Sequence, residues 1–237
     1  MVARTVARAS SPKTLVDLAA ERLRRDIVAG DLAAGERVNL EGASAKLKMS
    51  PIPIREALRI LAAEGLVVPL RHRGYTVSHV TVADLEETYR LRLLLEPVAV
   101  QLAVPRIKSE TIQQLARDLD RLEVAFERSQ WAAHRRYHSA FHFGIYSRCD
   151  SPKLLRFIEL LWLTSERYQR ISTRLKGELD QRANEHRLIL RACERGEASR
   201  AGELMRHHLT RAFSTIRASL LTEPSAGTGD GRRALQI

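Results

Sequence analysis

The stretch LKMSPIPIREALRILAAEGLV, residues 47–67, decides the fold of the N-terminal part of this 237-residue chain. Ser50 and Pro51 are residues typical of a helix cap and first turn, and Gly65 is a typical stop, so the pattern predicts a helix over residues 51–64. A residue before proline avoids helical backbone angles, so Ile52 leaves open a start one turn later.

The segments on either side of this helix complete a small domain. Apolar spacing predicts helices over residues 12–30 and 40–47. After the helix, two β-prone runs flank a basic tip containing glycine, which predicts a hairpin over residues 66–80. Three helices followed by a hairpin are the plan of a winged helix-turn-helix, and we place this domain at residues 12–80.

Basic residues cluster on the third helix and the hairpin tip of this domain. Residues 46–75 contain six basic and two acidic residues. In a helix-turn-helix the second helix of the pair enters the major groove, and surrounding cations bind phosphate. A solvated charged surface is the alternative interpretation. The candidate DNA contacts are Lys46, Ser50, Ile52, Arg55, Arg59, Arg71, His72, Arg73 and Gly74.

The rest of the chain is predicted to be helical. Helix patterns cover residues 81–104, with a kink expected at Pro97, and then residues 109–129, 131–149, 151–175, 180–195 and 197–221. We therefore predict a mainly α fold, in which an all-helical bundle at residues 81–221 follows the winged helix. Residues 1–11 are expected to be a flexible N-terminus and residues 222–237 a disordered tail.

Composition narrows the class of protein. The 39 lysines and arginines exceed the 28 acidic residues by 11, an excess that suits nucleic acid, an anionic membrane surface or acidic ligands. No apolar run approaches the roughly 20 residues of a membrane span, and the N-terminus lacks the apolar region of a secretion signal. Two cysteines are too few for a disulfide scaffold. These features predict a cytoplasmic protein without a membrane partner.

Four histidines have the spacing of a possible metal site. His138 and His142 are four residues apart and so lie on one helical face, while His186 and His208 belong to two later predicted helices. Helices of a bundle can direct imidazoles from facing sides onto one ion. The spacing alone favours the other interpretation, in which the histidines are exposed or satisfied by other partners.

The stretch quoted at the outset resembles the helix-turn-helix signature of the GntR family of bacterial transcription regulators. Residues 12–80 follow the family pattern, with the wing written here as RHRGYTVS at residues 71–78. The resemblance implies DNA contacts led by Ser50 and Arg55. One position departs, because Pro51 stands where the family usually has an arginine that helps read the operator.

Residues 84–221 resemble the FCD effector domain of the FadR-type branch of that family, in the segments 89–103, 138–162 and 184–209. The resemblance implies a divalent metal held at His138, His142, His186 and His208. His138 replaces the usual Asp or Asn, which favours zinc, or nickel as an alternative, over manganese. A three-histidine site that omits His138 is the other possibility.

Together these observations predict a homodimeric repressor that binds a palindromic operator in double-stranded DNA and responds to a small carboxylate effector. Arg92 is the candidate for binding the effector carboxylate, with a structural ion pair as its alternative role. The competing hypotheses are a metal sensor, in which the ion is the signal, and a constitutive DNA-binding protein. A metal-dependent hydrolase is disfavoured because no nucleophile motif or evident general base accompanies the histidines, so we predict no enzyme activity.

Overall fold

The computed structural model describes residues 13–71, 73–172 and 179–222, and within residues 169–182 it describes helices without side chains. The predicted flexible N-terminus, His72 and residues 223–237 of the predicted tail lie outside the described part. The chain divides into two compact units, residues 1–79 and 80–237.

The first unit contains three helices and a two-stranded antiparallel sheet. The Thr14 side chain caps the first helix in a reciprocal capping box with Asp17, and Gly30 ends it in the left-handed conformation, with φ of 76°. Apolar side chains from all three helices and both strands form the core. In chain order the elements are α1 (Leu15–Ala29), α2 (Leu40–Leu47), α3 (Pro51–Ala63), β1 (Val67–Leu70) and β2 (Gly74–Val77).

The sheet forms the wing expected from the sequence. Val67 pairs with Val77 and Leu70 pairs with Gly74, whose φ of 86° suits a residue without Cβ at the start of the returning strand. The segment before α2 lies against the outer edge of β2, where Arg37 and Thr76 form an isolated bridge. The unit is therefore a winged helix-turn-helix with an extra edge contact.

The second unit is a helical bundle built around its first helix. Thr81 caps this helix by accepting a hydrogen bond from the Asp84 amide, and the helix runs without interruption through Pro97. It packs against the third, fourth and last helices of the unit. The helices are α4 (Val82–Ala103), α5 (Ser109–Glu127), α6 (Trp131–Tyr146), α7 (Pro152–Ser172), α8 (Leu179–Glu194) and α9 (Ala198–Thr222), with a short 3-10 turn at Val104–Arg106.

The observed elements confirm the mainly α fold with a winged helix followed by a bundle. Both cysteines, Cys149 and Cys193, are buried and unbridged, and burial raises the pKa of the Cys193 thiol to about 12. Within the described ranges, none of the helices combines the length and the apolar character that a bilayer span requires.

Candidate DNA interface and candidate metal centre

The third helix presents two different faces. Ile54, Leu58 and Leu61 are fully buried against the rest of the first unit. On the opposite side Arg55 and Arg59 are exposed, and Ile52 is 72% exposed although it is a large apolar residue. Such a face, two arginines and an uncovered isoleucine near the helix start, matches the part of a recognition helix that meets base edges.

A groove of about 650 Å³ joins this helix to the wing. Arg55 and Arg59 line one side of it, and Arg73 and Gly74 line the other. Arg37, which the sequence reasoning did not select, lines the same groove. Arg37 reaches the groove through its pairing with β2, and no sequence motif near residue 37 predicts that contact. Three predicted cations and one missed cation therefore converge on one concave surface.

The remaining predicted DNA contacts have different surroundings. Ser50 is exposed at the N-cap of α3 and makes no side-chain capping hydrogen bond, so its hydroxyl is available to another partner. Arg71 is exposed at the wing. The ammonium of Lys46 lies 2.9 Å from the carboxylate of Asp26, so this side chain is already engaged within the domain.

The bundle brings all four predicted metal ligands together. Their nearest nitrogens lie within 4.8 Å of one another, although the residues come from three helices. His142, His186 and His208 are at most 4% exposed, and His138 is half-buried. The structure thus places His138 inside the cluster, stacked against the Trp162 ring at 5.3 Å between centroids.

A hydrogen-bond chain orients His142. The hydroxyl of Tyr146 donates to Glu96 over 2.5 Å, so it accepts from Nδ1 of His142, which lies 3.0 Å away. Nδ1 therefore carries the proton and Nε2 directs its lone pair at the cluster. Burial, followed by the neighbouring imidazoles, holds the pKa of His142 well below its usual value, so the ring is neutral, as metal binding requires.

A carboxylate orients His208 in the same way. Nδ1 of His208 lies 2.9 Å from Glu185, and Arg211 pairs with the same carboxylate at 2.7 Å. Burial alone would raise the pKa of Glu185, but the hydrogen bond from His208 and the charge of Arg211 lower it overall. Glu185 is thus ionised, and by accepting a hydrogen bond from Nδ1 of His208 it directs Nε2 of that ring toward the cluster. Sequence reasoning missed Glu96 and Glu185, whose partners Tyr146 and His208 are distant in the chain. It also missed Tyr146, although the four-residue spacing from His142 is a signal that could have found it.

The donor set fits a divalent metal. Nε2 of His142 and Nε2 of His186 are 3.2 Å apart, and two imidazole nitrogens on one tetrahedral zinc ion at about 2.0–2.1 Å stand about 3.3 Å from each other. Oriented, neutral imidazoles with hydrogen-bonded outer nitrogens are the usual environment of metal-binding histidines. The cluster is therefore able to hold an ion, with nitrogen as the donor of every residue.

A cavity of about 370 Å³ opens beside the cluster. Arg92, which is 2% exposed, borders it. Nε and Nη2 of Arg92 bind Glu96, and the guanidinium lies over the rings of Tyr89 and Trp162. Among the described residues its remaining nitrogen, Nη1, has no hydrogen-bond partner. Both roles predicted for Arg92 are thus compatible with its position, since the ion pair uses only part of the guanidinium.

Comparison with known proteins assigns both units. Residues 15–77 match the family of bacterial regulatory proteins called gntR, and residues 87–211 match the FCD domain. A winged helix-turn-helix joined to this domain defines a bacterial DNA-binding transcriptional regulator, a class without enzymatic activity. The chain belongs to the GntR family, and its FCD domain is consistent with the FadR-type branch, as the sequence resemblance predicted.

Relatives with similar domain content extend over most of the chain. The uncharacterized HTH-type transcriptional regulator BphR of Paraburkholderia xenovorans (strain LB400) is 31% identical over 215 residues, 86% of each chain. The HTH-type transcriptional repressor GlaR of Escherichia coli (strain K12) is 30% identical over 84% of this chain and 94% of its own. The solved structure of E. coli McbR/YncC superposes with a TM-score of 0.76 at 26% identity, covering 89% of this chain and 98% of that one.

Proposed function

We propose that this regulator is a homodimeric repressor whose DNA binding is controlled by a small carboxylate bound beside a metal in the helical domain. The observation that carries the proposal is a cavity bordered both by the histidine cluster and by Arg92, whose buried Nη1 has no hydrogen-bond partner in the part of the chain that the structure describes. A recess inside a bundle with a guanidinium and several imidazoles in its wall is suited to a small anion.

DNA binding is assigned to residues 12–80. The exposed face of α3 is proposed to enter the major groove, with Ile52 and Arg55 nearest the bases. Arg37 is added to the candidates as a phosphate contact, because it lines the same groove as Arg55 and Arg73. The full proposed set is Arg37, Lys46, Ser50, Ile52, Arg55, Arg59, Arg71, His72, Arg73 and Gly74.

Effector binding is assigned to residues 81–221. His138, His142, His186 and His208 would hold the metal, with zinc preferred and nickel as the alternative, because all four donors are imidazole nitrogens. When bound, the ion would supply positive charge that attracts a carboxylate oxygen. Nη1 of Arg92 would donate to the same carboxylate while Glu96 keeps the guanidinium in place.

Dimerisation is proposed to use the outer face of α4. Leu91, Leu94, Val98 and Leu102 lie on one side of that helix, and each is at least 40% exposed. The opposite side is buried in the bundle, where apolar residues surround the Arg92–Glu96 pair, so α4 carries apolar residues on both faces. A helix that is apolar all round is normally covered on both sides, and a two-fold dimer would supply the second cover.

The proposed function is tested by DNA-binding titrations with a fragment selected by the protein from a random pool. Fluorescence anisotropy is measured with chelator, with zinc, and with zinc plus a panel of carboxylates. Release by a carboxylate in the presence of zinc supports the proposal. A response to zinc alone identifies a metal sensor, and no response in any arm identifies a constitutive DNA-binding protein.

A further inference from the structure

We infer that the cavity beside the histidine cluster accepts a monocarboxylate with a short apolar body, and discriminates against ligands that carry a second carboxylate. The inference rests on the proposed function, because the carboxylate end of the ligand occupies the site proposed above and the inference concerns the rest of the ligand.

The walls away from the histidines are largely apolar. Leu119, Leu122 and Ile216 are at most 6% exposed overall and border the cavity. They belong to α5 and α9. A ligand that fills this space would displace water and place apolar groups against these walls. The apolar residues of the lining are Tyr89, Leu119, Leu122, Phe126, Ala183, Leu209, Ala212 and Ile216.

The charged groups of the lining are mostly committed to each other. Two nitrogens of Arg187 bind Glu123 at 2.7 and 2.9 Å, and Nη2 also lies 3.2 Å from Asp120. Arg92 shares its charge with Glu96, and its buried Nη1 has no hydrogen-bond partner on any residue that the structure describes. A single carboxylate of the ligand would therefore bind to the metal centre and to Nη1 of Arg92.

A second carboxylate on the ligand meets an unfavourable lining. Glu123 and Glu127 both border the cavity. Among the lining side chains that the structure describes, the two guanidiniums are those of Arg92 and Arg187, each already paired with acidic groups. An added negative charge would lose its hydration without gaining a cation. The lining thus selects for one charged end and one apolar end.

The size of the cavity limits the apolar body. A volume of about 370 Å³ lies near the lower end of the roughly 300–1,000 Å³ of small-molecule sites. This favours a body of a few carbon atoms over a long acyl chain. Each methylene transferred from water into such a site is expected to raise affinity about fourfold.

The test uses isothermal titration of the full chain, loaded with zinc, with acetate, butanoate, hexanoate and hexanedioate. Affinity is expected to rise along the monocarboxylates, by on the order of a hundredfold from acetate to hexanoate. Hexanedioate has the same length as hexanoate but a charged far end, and it is expected to bind at least about tenfold more weakly.

Two variants locate the apolar body. Ala212→Leu adds three carbon atoms to the cavity wall and is expected to weaken hexanoate binding about tenfold while acetate binding stays within twofold. Ala218→Leu is the matched control, because Ala218 is exposed on the same helix and does not border the cavity. The zinc content of each variant confirms that the domain is intact.

The outcomes distinguish failure of the inferred ligand class from failure of the proposed carboxylate site. If hexanedioate binds as tightly as hexanoate, or if Ala212→Leu leaves hexanoate binding unchanged, the carboxylate site stands and the inferred ligand class is overturned. If none of the four acids binds, the proposed carboxylate site itself fails, and the inference fails with it.

Discussion

Nε of Arg92 donates to Oε1 of Glu96 over 2.5 Å, and the two side chains are only 2% and 0% exposed. They lie one turn apart on α4. Glu96 also accepts from Tyr146, so one carboxylate connects the arginine at the cavity with the tyrosine that orients His142. A fully buried ion pair costs desolvation energy, and here it positions groups on both sides of the candidate site.

Removing Glu96 is expected to destabilise the helical domain strongly. Glu96→Ala leaves the Arg92 charge buried without its counter-ion, which typically costs about 3–5 kcal/mol. Urea unfolding measures the loss. Glu56→Ala is the matched control, because Glu56 pairs with the exposed Arg59 and such pairs contribute about 0.2–1 kcal/mol. Equal losses in the two variants would show that the buried pair has no special structural role.

The adjacent histidines 207 and 208 offer a direct test of the metal centre. His208→Ala is expected to lower zinc affinity at least about a hundredfold, because it removes a ligand that the hydrogen bond to Glu185 holds in position. His207→Ala should change it less than twofold, since the His207 side chain is 66% exposed and outside the cluster. Chelator competition with a zinc indicator measures both, and similar effects in the two variants would contradict the assignment.

Metal preference should respond to His138. His138→Asp introduces a carboxylate donor, and oxygen donors favour manganese relative to an all-imidazole set. We expect the ratio of manganese to zinc affinity to rise by at least about tenfold in competition titrations. His134→Asp, one turn earlier on the same helix and outside the cluster, is the control. An unchanged ratio in His138→Asp would show that His138 is not a ligand.

The groove in the winged helix makes separate predictions for two arginines. Arg55→Ala is expected to cost about 1–3 kcal/mol of operator binding and to relax sequence preference, as for a base contact. Arg37→Gln should weaken binding to all sequences alike and reduce the slope of log affinity against log salt by about one. Arg25→Gln, on the exposed side of α1, is the control. A relaxed sequence preference in Arg37→Gln would reverse the two roles.

The outer face of α4 can be tested by charge. Leu94→Glu and Val98→Glu place carboxylates in an apolar stripe, where Leu94 is 58% and Val98 43% exposed. Both are expected to raise the dimer dissociation constant at least about a hundredfold in sedimentation experiments. Val124→Glu changes an equally exposed residue on α5 and should leave the dimer intact. If only the α5 substitution dissociated the dimer, the interface would lie at α5 and not at α4.

Much of the fold could be predicted because its signals are local. Pro51 and Gly65 mark the ends of the recognition helix, and helix spacing alone put His138 and His142 on one face. The prediction that His186 and His208 join them depended on the family resemblance, because residues on three different helices must come together. The position of Arg37 beside the wing, and the partnership of Lys46 with Asp26, arise from tertiary contacts that leave no periodic trace in the sequence.

The two-faced character of α4 has a thermodynamic consequence. Arg92 borders the cavity, and Leu94 lies on the outer side of the same helix. The two residues are less than one turn apart, so a shift of the helix at Arg92 would also move Leu94. In the proposed dimer, an effector whose binding displaces α4 would couple self-association to effector affinity, and that coupling would be reciprocal. An effector constant measured at the nanomolar protein concentrations of DNA-binding assays would differ from one measured calorimetrically at micromolar concentrations, and the difference would report the coupling energy.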